Sequence, residues 1–119
     1  MGRLFLEHLG GVVLLSCLNC RTFLSNTCQV ISDDFRGVTG PALFLSKVVN
    51  VHLSEARPEW MRSGAYIVRQ LYCKKCDKYV GWTYEKAFTL EQKYKEGKFV
   101  LEFPLILIDN SGFADSAGD

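Results

Sequence analysis

The sequence predicts a single, mostly β domain held together by a bound metal. Three observations lead there. Short runs rich in β-branched and aromatic residues recur between Gly, Pro and polar clusters. Only one stretch, Glu85 to Lys98, has helix-like polar composition. Four of the five cysteines fall into two CxxC pairs. At 119 residues the chain has room for one hydrophobic core. Its 48% hydrophobic and 23% charged residues exclude a disordered or collagen-like chain. The formal net charge of +1 means that binding nucleic acid would need a local basic patch.

In chain order, Arg3 to His8 and Val12 to Ser16 read as strands flanking the turn signal Gly10-Gly11, so residues 1–12 form a strand and turn ahead of a domain spanning 13–110. Cys17-Leu18-Asn19-Cys20 reads as a turn. Pro41, directly after Gly40, marks the start of the next run, because proline is tolerated at the first position of a strand. That run, Ala42 to Leu53 with Val48, Val49 and Val51, is expected to be a strand pair or one long bent strand. Ser54 to Gly64, punctuated by Pro58, reads as a polar loop. Ala65 to Tyr72 is a strand entering the second knuckle at Cys73-Lys74-Lys75-Cys76, and Tyr79 to Tyr84 is another. Glu85 to Lys98 suits one or two helical turns ended by Gly97. Phe99 to Ile108 is a last apolar strand with Pro104 at an edge or bulge, and the small polar tail, 111–119, is expected to be flexible.

The apolar block Leu9 to Leu15 is far shorter than the ~20 residues that span a bilayer, and it runs straight into Ser16-Cys17 without a cleavage site. Gly2 lacks the Ser or Thr at position 6 that myristoylation wants. The expectation is a chain kept in the reducing interior of the cell, without a membrane partner.

An odd cysteine count with paired CxxC spacing points away from a disulfide scaffold. Zinc wants four sulfurs at ~2.3 Å in a tetrahedron, and two residues between cysteines let a tight turn aim both at one ion. Cys17 and Cys20 supply one such knuckle, Cys73 and Cys76 the other. The 52 residues between them, Arg21 to Tyr72, are too many for a zinc finger, so the metal joins two remote parts of a β fold. Four protein ligands leave no open position, which makes the single Zn2+ structural and assigns no catalytic residue to it. Cys28 is expected to be a buried or half-buried thiol outside the site, and His8 and His52 to be packing or surface histidines.

The spacing C-x2-C-x52-C-x2-C, with VVNV at Val48 to Val51, GWTYE at Gly81 to Glu85 and QKYKEGK at Gln92 to Lys98, resembles the yippee-like family. The resemblance covers Val13 to Asn110, and the opening Met1 to Phe5 looks like its plant branch. It implies a β-tent: two antiparallel sheets meeting at an angle, joined at a four-cysteine zinc site, as in the thalidomide-binding domain of cereblon, a family of centromere-licensing proteins and the methionine sulfoxide reductase B enzymes. It also implies residence in nucleus and cytoplasm, protein partners including a ubiquitin-ligase complex, and no enzymatic activity. The chain departs from the family at Tyr66, where a histidine is usual, and at Gln70, where an aspartate is usual.

Similarity to cereblon further implies a ligand cage built from Trp60, Tyr66 and Trp82, since Trp82 follows Cys76 by six residues and Trp60 precedes Tyr66 by six; the plainer reading, which weighs more, makes Trp82 a core residue beside the zinc and Trp60 a loop residue. Aromatic walls hold flat or cationic groups, which makes a reader of small cyclic molecules or modified peptides the alternative to an interaction module or adaptor. A methionine sulfoxide reductase needs a late nucleophilic cysteine, and no cysteine follows Cys76. From Arg69 to Lys98 eight basic residues face four acidic ones, with tyrosines interleaved; this reads as a solvated face, and nucleic acid is not an expected partner.

Overall fold

The structure, a computed structural model, describes residues 13–109. The sequence expectations for 1–12, the histidine at position 8 and the tail from 110 onward lie outside the described residues. Ten strands follow in order: β1 (Leu14–Cys17), β2 (Phe23–Asn26), β3 (Val30–Arg36), β4 (Pro41–Leu45), β5 (Val51–Leu53), β6 (Arg57–Met61), β7 (Gly64–Cys73), β8 (Tyr79–Ala87), β9 (Phe99–Glu102) and β10 (Ile106–Asp109). They form two antiparallel sheets. One has three strands in the order β10-β1-β2; the other runs β3-β4-β9-β8-β7-β5, with β6 also paired to β7.

The large sheet is buried on both faces. On β4, Leu43 and Leu45 face the small sheet while Ala42 and Phe44 face the opposite side; Leu101 and Val100 divide in the same way on β9. The first core therefore joins Leu15, Leu24 and Ile106 of the small sheet to Leu43, Leu45, Leu71, Val80 and Leu101 of the large one. The second, on the far face, gathers Phe44, Tyr66, Val68, Trp82, Tyr84 and Val100, with Phe35 and Met61 packed against it. A bulge in β8 sorts its side chains. Leu71 pairs with Gly81 but Tyr72 pairs with Tyr79, so Val80 is the extra residue and turns into the first core while Trp82 and Tyr84 stay in the second.

Four sequence expectations need correction. Ala42 to Leu53 is neither a hairpin nor one strand: β4 and β5 are separate and not neighbours, because Asn50 takes a left-handed φ of 62° and breaks the β-branched run. Ser54 to Gly64 is not a loop. It contains β6, whose Pro58 is tolerated because the strand hangs on the rim of the sheet, paired to β7 alone. Phe99 to Ile108 is two strands, since Pro104 enters a short 3-10 turn, Phe103–Leu105, that carries the chain from the large sheet to the small one. Within Glu85 to Lys98, helical turns are confined to Leu90–Lys95, because β8 extends to Ala87.

Gly81 is where β8 and β9 press closest. A Cβ there would overlap the Val100 carbonyl, a backbone atom that cannot yield without breaking the ladder. We expect Gly81→Ala to destabilise the zinc-loaded protein by upwards of ~3 kcal/mol, read as a fall in the urea midpoint.

Glu102, the end of β9, is fully buried. Its carboxylate accepts from the Thr39 amide and hydroxyl, both at 2.7 Å, and from the Tyr79 hydroxyl. Burial alone would push its carboxyl up, but the Tyr79 and Thr39 hydrogen bonds outweigh it and hold the group below the usual range. Such a group stabilises fully above the unfolded carboxyl pKa of ~4.3, and the contribution is lost as pH falls through the lower folded value. Glu102→Gln is expected to cost ~1–3 kcal/mol near neutrality. It should also flatten the acid limb of a stability-against-pH curve below about pH 4.

Candidate metal centre

Cys17 closes β1 in the small sheet and Cys73 closes β7 in the large one. Each opens the same hydrogen-bonded turn. The Cys17 carbonyl accepts from the Arg21 amide (2.7 Å) and its amide donates to the Thr22 carbonyl (2.9 Å); Cys73 repeats this with Asp77 and Lys78, both at 2.8 Å. Arg21 and Asp77, each one residue past its CxxC, take matching left-handed φ values of 66° and 65°. The following residues tie the turns to remote backbone, Leu18 donating to the Leu105 carbonyl and Lys74 to that of Asn50.

The two turns face each other. Cys17 Sγ lies 3.6 Å from Cys76 Sγ, Cys20 Sγ lies 3.5 Å from Cys73 Sγ, and all four sulfurs fall within 4.8 Å of one another. Four ~2.3 Å bonds in a tetrahedron give sulfur–sulfur edges of about 3.8 Å, so the residues fit one zinc ion. Burial pushes the Cys17 thiol up to about 12 and raises Cys73 as well. Burial also acts upward on Cys76, but the Asn19 side chain, the Lys78 amide and the neighbouring thiols overcome it and bring Cys76 down to about 7. A divalent ion offsets the burial term directly, because thiolate is the form that binds it.

Cys28 is exposed, correcting the expected buried thiol: Asn26 caps its short 3-10 turn by accepting from the Cys28 amide, which turns the side chain outward. His52 is outside the ligand set; its ring stacks on Tyr72 and meets the Asp77 carboxylate beside the second knuckle.

The three aromatics proposed as a cage are not brought together. Trp60 pairs with Ala65, so it lies on the face of the sheet opposite to Tyr66, and it is 85% exposed. Tyr66 (0%) and Trp82 (7%) share the second core, linked through Tyr84. Residues that sequence reasoning passed over, Met61, Tyr84 and Lys95, stand beside them; Tyr84 gave a signal as the same-face neighbour of Trp82, two residues on along an alternating strand. The basic segment is not a free stripe either: Arg69 pairs with Glu85, Lys93 with Glu96, and Lys95 is buried.

Zinc is expected to be part of the folding free energy, on the order of 10 kcal/mol for such sites. Chelation, or Cys17→Ser, should abolish the cooperative thermal transition, while Cys28→Ser should keep one zinc per chain and an unchanged melting temperature; inductively coupled plasma mass spectrometry with calorimetry reads both. Zinc loss should be steeper on the acid side, because protons compete for each thiolate as pH falls.

Residues 13–116 match the family described as "Yippee zinc-binding/DNA-binding /Mis18, centromere assembly". The chain is 45% identical over 117 residues to Protein yippee of Drosophila melanogaster, covering 98% of this chain and 96% of that one. It is 42% identical over 95 residues to Protein yippee-like 3 of Danio rerio, covering 80% of each. The crystal structure of the Mis18 "Yippee-like" domain superposes with a TM-score of 0.66 at 15% identity, over 82% of this chain and 94% of that one, which is a likeness of fold. Sequence, sheets and the four-sulfur centre agree: the chain belongs to the Yippee-Mis18 family and carries its zinc-binding domain.

Proposed function

We propose that this protein is a non-catalytic, zinc-stabilised interaction module of nucleus and cytoplasm, serving as an adaptor or subunit of a regulatory assembly such as a ubiquitin ligase. The family resemblance is what supports the location and the kind of assembly. The four thiolates fill the coordination sphere of zinc, so the metal offers no position to a substrate.

The observation that carries the reading is the surface around Trp60. This indole is 85% exposed on a rim strand, opposite Ala65, and the Ala65 carbonyl accepts from the amide of Phe88, another exposed aromatic. Large aromatics presented from a rigid sheet are the side chains that dominate binding energy at protein interfaces.

Affinity purification from cells expressing the protein, compared by quantitative mass spectrometry, tests this. Trp60→Ala is expected to lose its specific partners, at a cost of ~2 kcal/mol or more in binding, while zinc content and melting temperature stay unchanged. An identical partner set for Trp60→Ala and the unaltered protein would refute the assignment of this surface.

A further inference from the structure

On the face of the large sheet away from the small one, side chains of β3, β8, the end of β6 with its turn into β7, and the 90–95 segment line an open cleft of ≈ 650 Å³. Ligand sites commonly fall within ~300–1,000 Å³. In its wall lies Lys95, only 5% exposed. Its ammonium donates to Tyr66 Oη (2.9 Å) and Ser63 Oγ (3.1 Å). It stands 5.0, 5.2, 5.5 and 5.8 Å from the ring centroids of Tyr66, Phe35, Tyr84 and Tyr94. Here is an aromatic box, and the chain's own lysine fills it. A cationic guest would have to displace a tethered cation and would meet Arg36 and Arg62 in the same lining. Methylated lysine is therefore the wrong guest.

The charges favour the opposite sign. Among the described residues no carboxylate pairs with Lys95, Arg36 or Arg62, and the cavity lining holds one carboxylate, Asp34, against these three cations. A second observation is independent of charge. Among the described residues two buried side-chain polar atoms lack a hydrogen-bond partner, Trp82 Nε1 and Gln92 Oε1, and both residues line this cavity. The indole N–H acts on the Tyr84 hydroxyl, lowering a group that burial still pushes up to about 12, but makes no well-formed bond to it. A buried N–H without an acceptor is destabilising, and a bound oxygen would supply the missing partner. The Gln92 side-chain amide, turned over, would present its NH2 as a second donor in the same lining.

We infer that this cavity binds a small molecule bearing a carboxylate or phosphate group on a flat unsaturated body. Lys95, Arg36, Arg62 and the Trp82 N–H meet its charge, and Tyr84 and Met61 meet its ring. The site lies on the opposite face from Trp60, so it stands or falls separately from the protein-docking reading.

Trp60→Phe leaves Trp82 as the single tryptophan, whose fluorescence and indole 1H–15N resonance then report the cavity in the zinc-loaded full chain. Four probes share one ring: benzoate, phenyl phosphate, neutral benzamide and phenyltrimethylammonium. Saturable Trp82 shifts are expected with benzoate or phenyl phosphate, at least about tenfold tighter than with benzamide and absent with the ammonium. The arm that saturates first separates carboxylate from phosphate. Arg36→Gln with Arg62→Gln, both exposed and structurally tolerant, should weaken the anion about tenfold without changing zinc content or melting. Lys95→Met should abolish binding if it folds, and the arginine pair keeps the test decisive if it does not. Failure of both anions to saturate, or equal binding of benzamide or the ammonium, would overturn the inference.

Discussion

The link between Cys17 and Cys73 joins the last residue of one strand in the small sheet to the last residue of one strand in the large sheet. The chain passes between the sheets at other points, but the covalent route is loose. From β2 it runs through β3 to β7, across most of the large sheet, before the second knuckle is reached. A four-thiolate zinc shortens that route to two bonds and fixes the angle between the sheets. The first core lies directly behind the metal: Cys17 and Cys73 are themselves members of it, with Cys20 and Cys76 packed at its border. Packing and coordination are therefore one cooperative unit, and a core of this size has little stability to spare without the metal.

The same arrangement explains why the far face of the large sheet holds a cavity. The small sheet covers one face only. The other is covered only by side chains of the same sheet, with Phe35 of β3 stacked on Phe44 at 4.5 Å and Met61 of β6 against Tyr84. The space left is lined by Trp82 and Tyr84 of β8, the strand that starts just past the second zinc knuckle.

The metal centre was legible in the sequence because ligand chemistry is local: two residues between sulfurs dictate a turn wherever it occurs, and both turns formed as expected. Strands β7 and β8 were legible from their aromatic and β-branched runs. What escaped notice was set by pairing. In β6, Arg57, Pro58 and Glu59 disguise a strand as a loop, because a rim strand needs one row of hydrogen bonds and tolerates polar side chains. In β3, Ser32, Asp33 and Asp34 do the same. Asn50 hides a left-handed break inside VVNV. Trp60 and Tyr66 have cage-like spacing, yet the hairpin between them places them on opposite faces, since register and not separation decides the side. The residues around Lys95 come from four strands and a short helix, and each alone reads as ordinary core or solvated surface.

Lys95 is hard to account for by stability alone. Desolvating an ammonium costs several kcal/mol, and here it is offset by two neutral hydroxyls and ring faces worth roughly 0.5–2 kcal/mol each. A methionine of nearly the same length would fill the aromatic box with no charge to desolvate, and replacing buried charges by apolar groups of similar volume is often neutral or stabilising. The arginines at the mouth add like charge to the same space instead of relieving it. Three cations, an unsatisfied indole N–H and a single carboxylate form a set that an arriving anion completes. The zinc tie gives that set a fixed geometry, because β7, which carries Tyr66, and β8, which carries Trp82 and Tyr84, are anchored at the knuckle the metal holds.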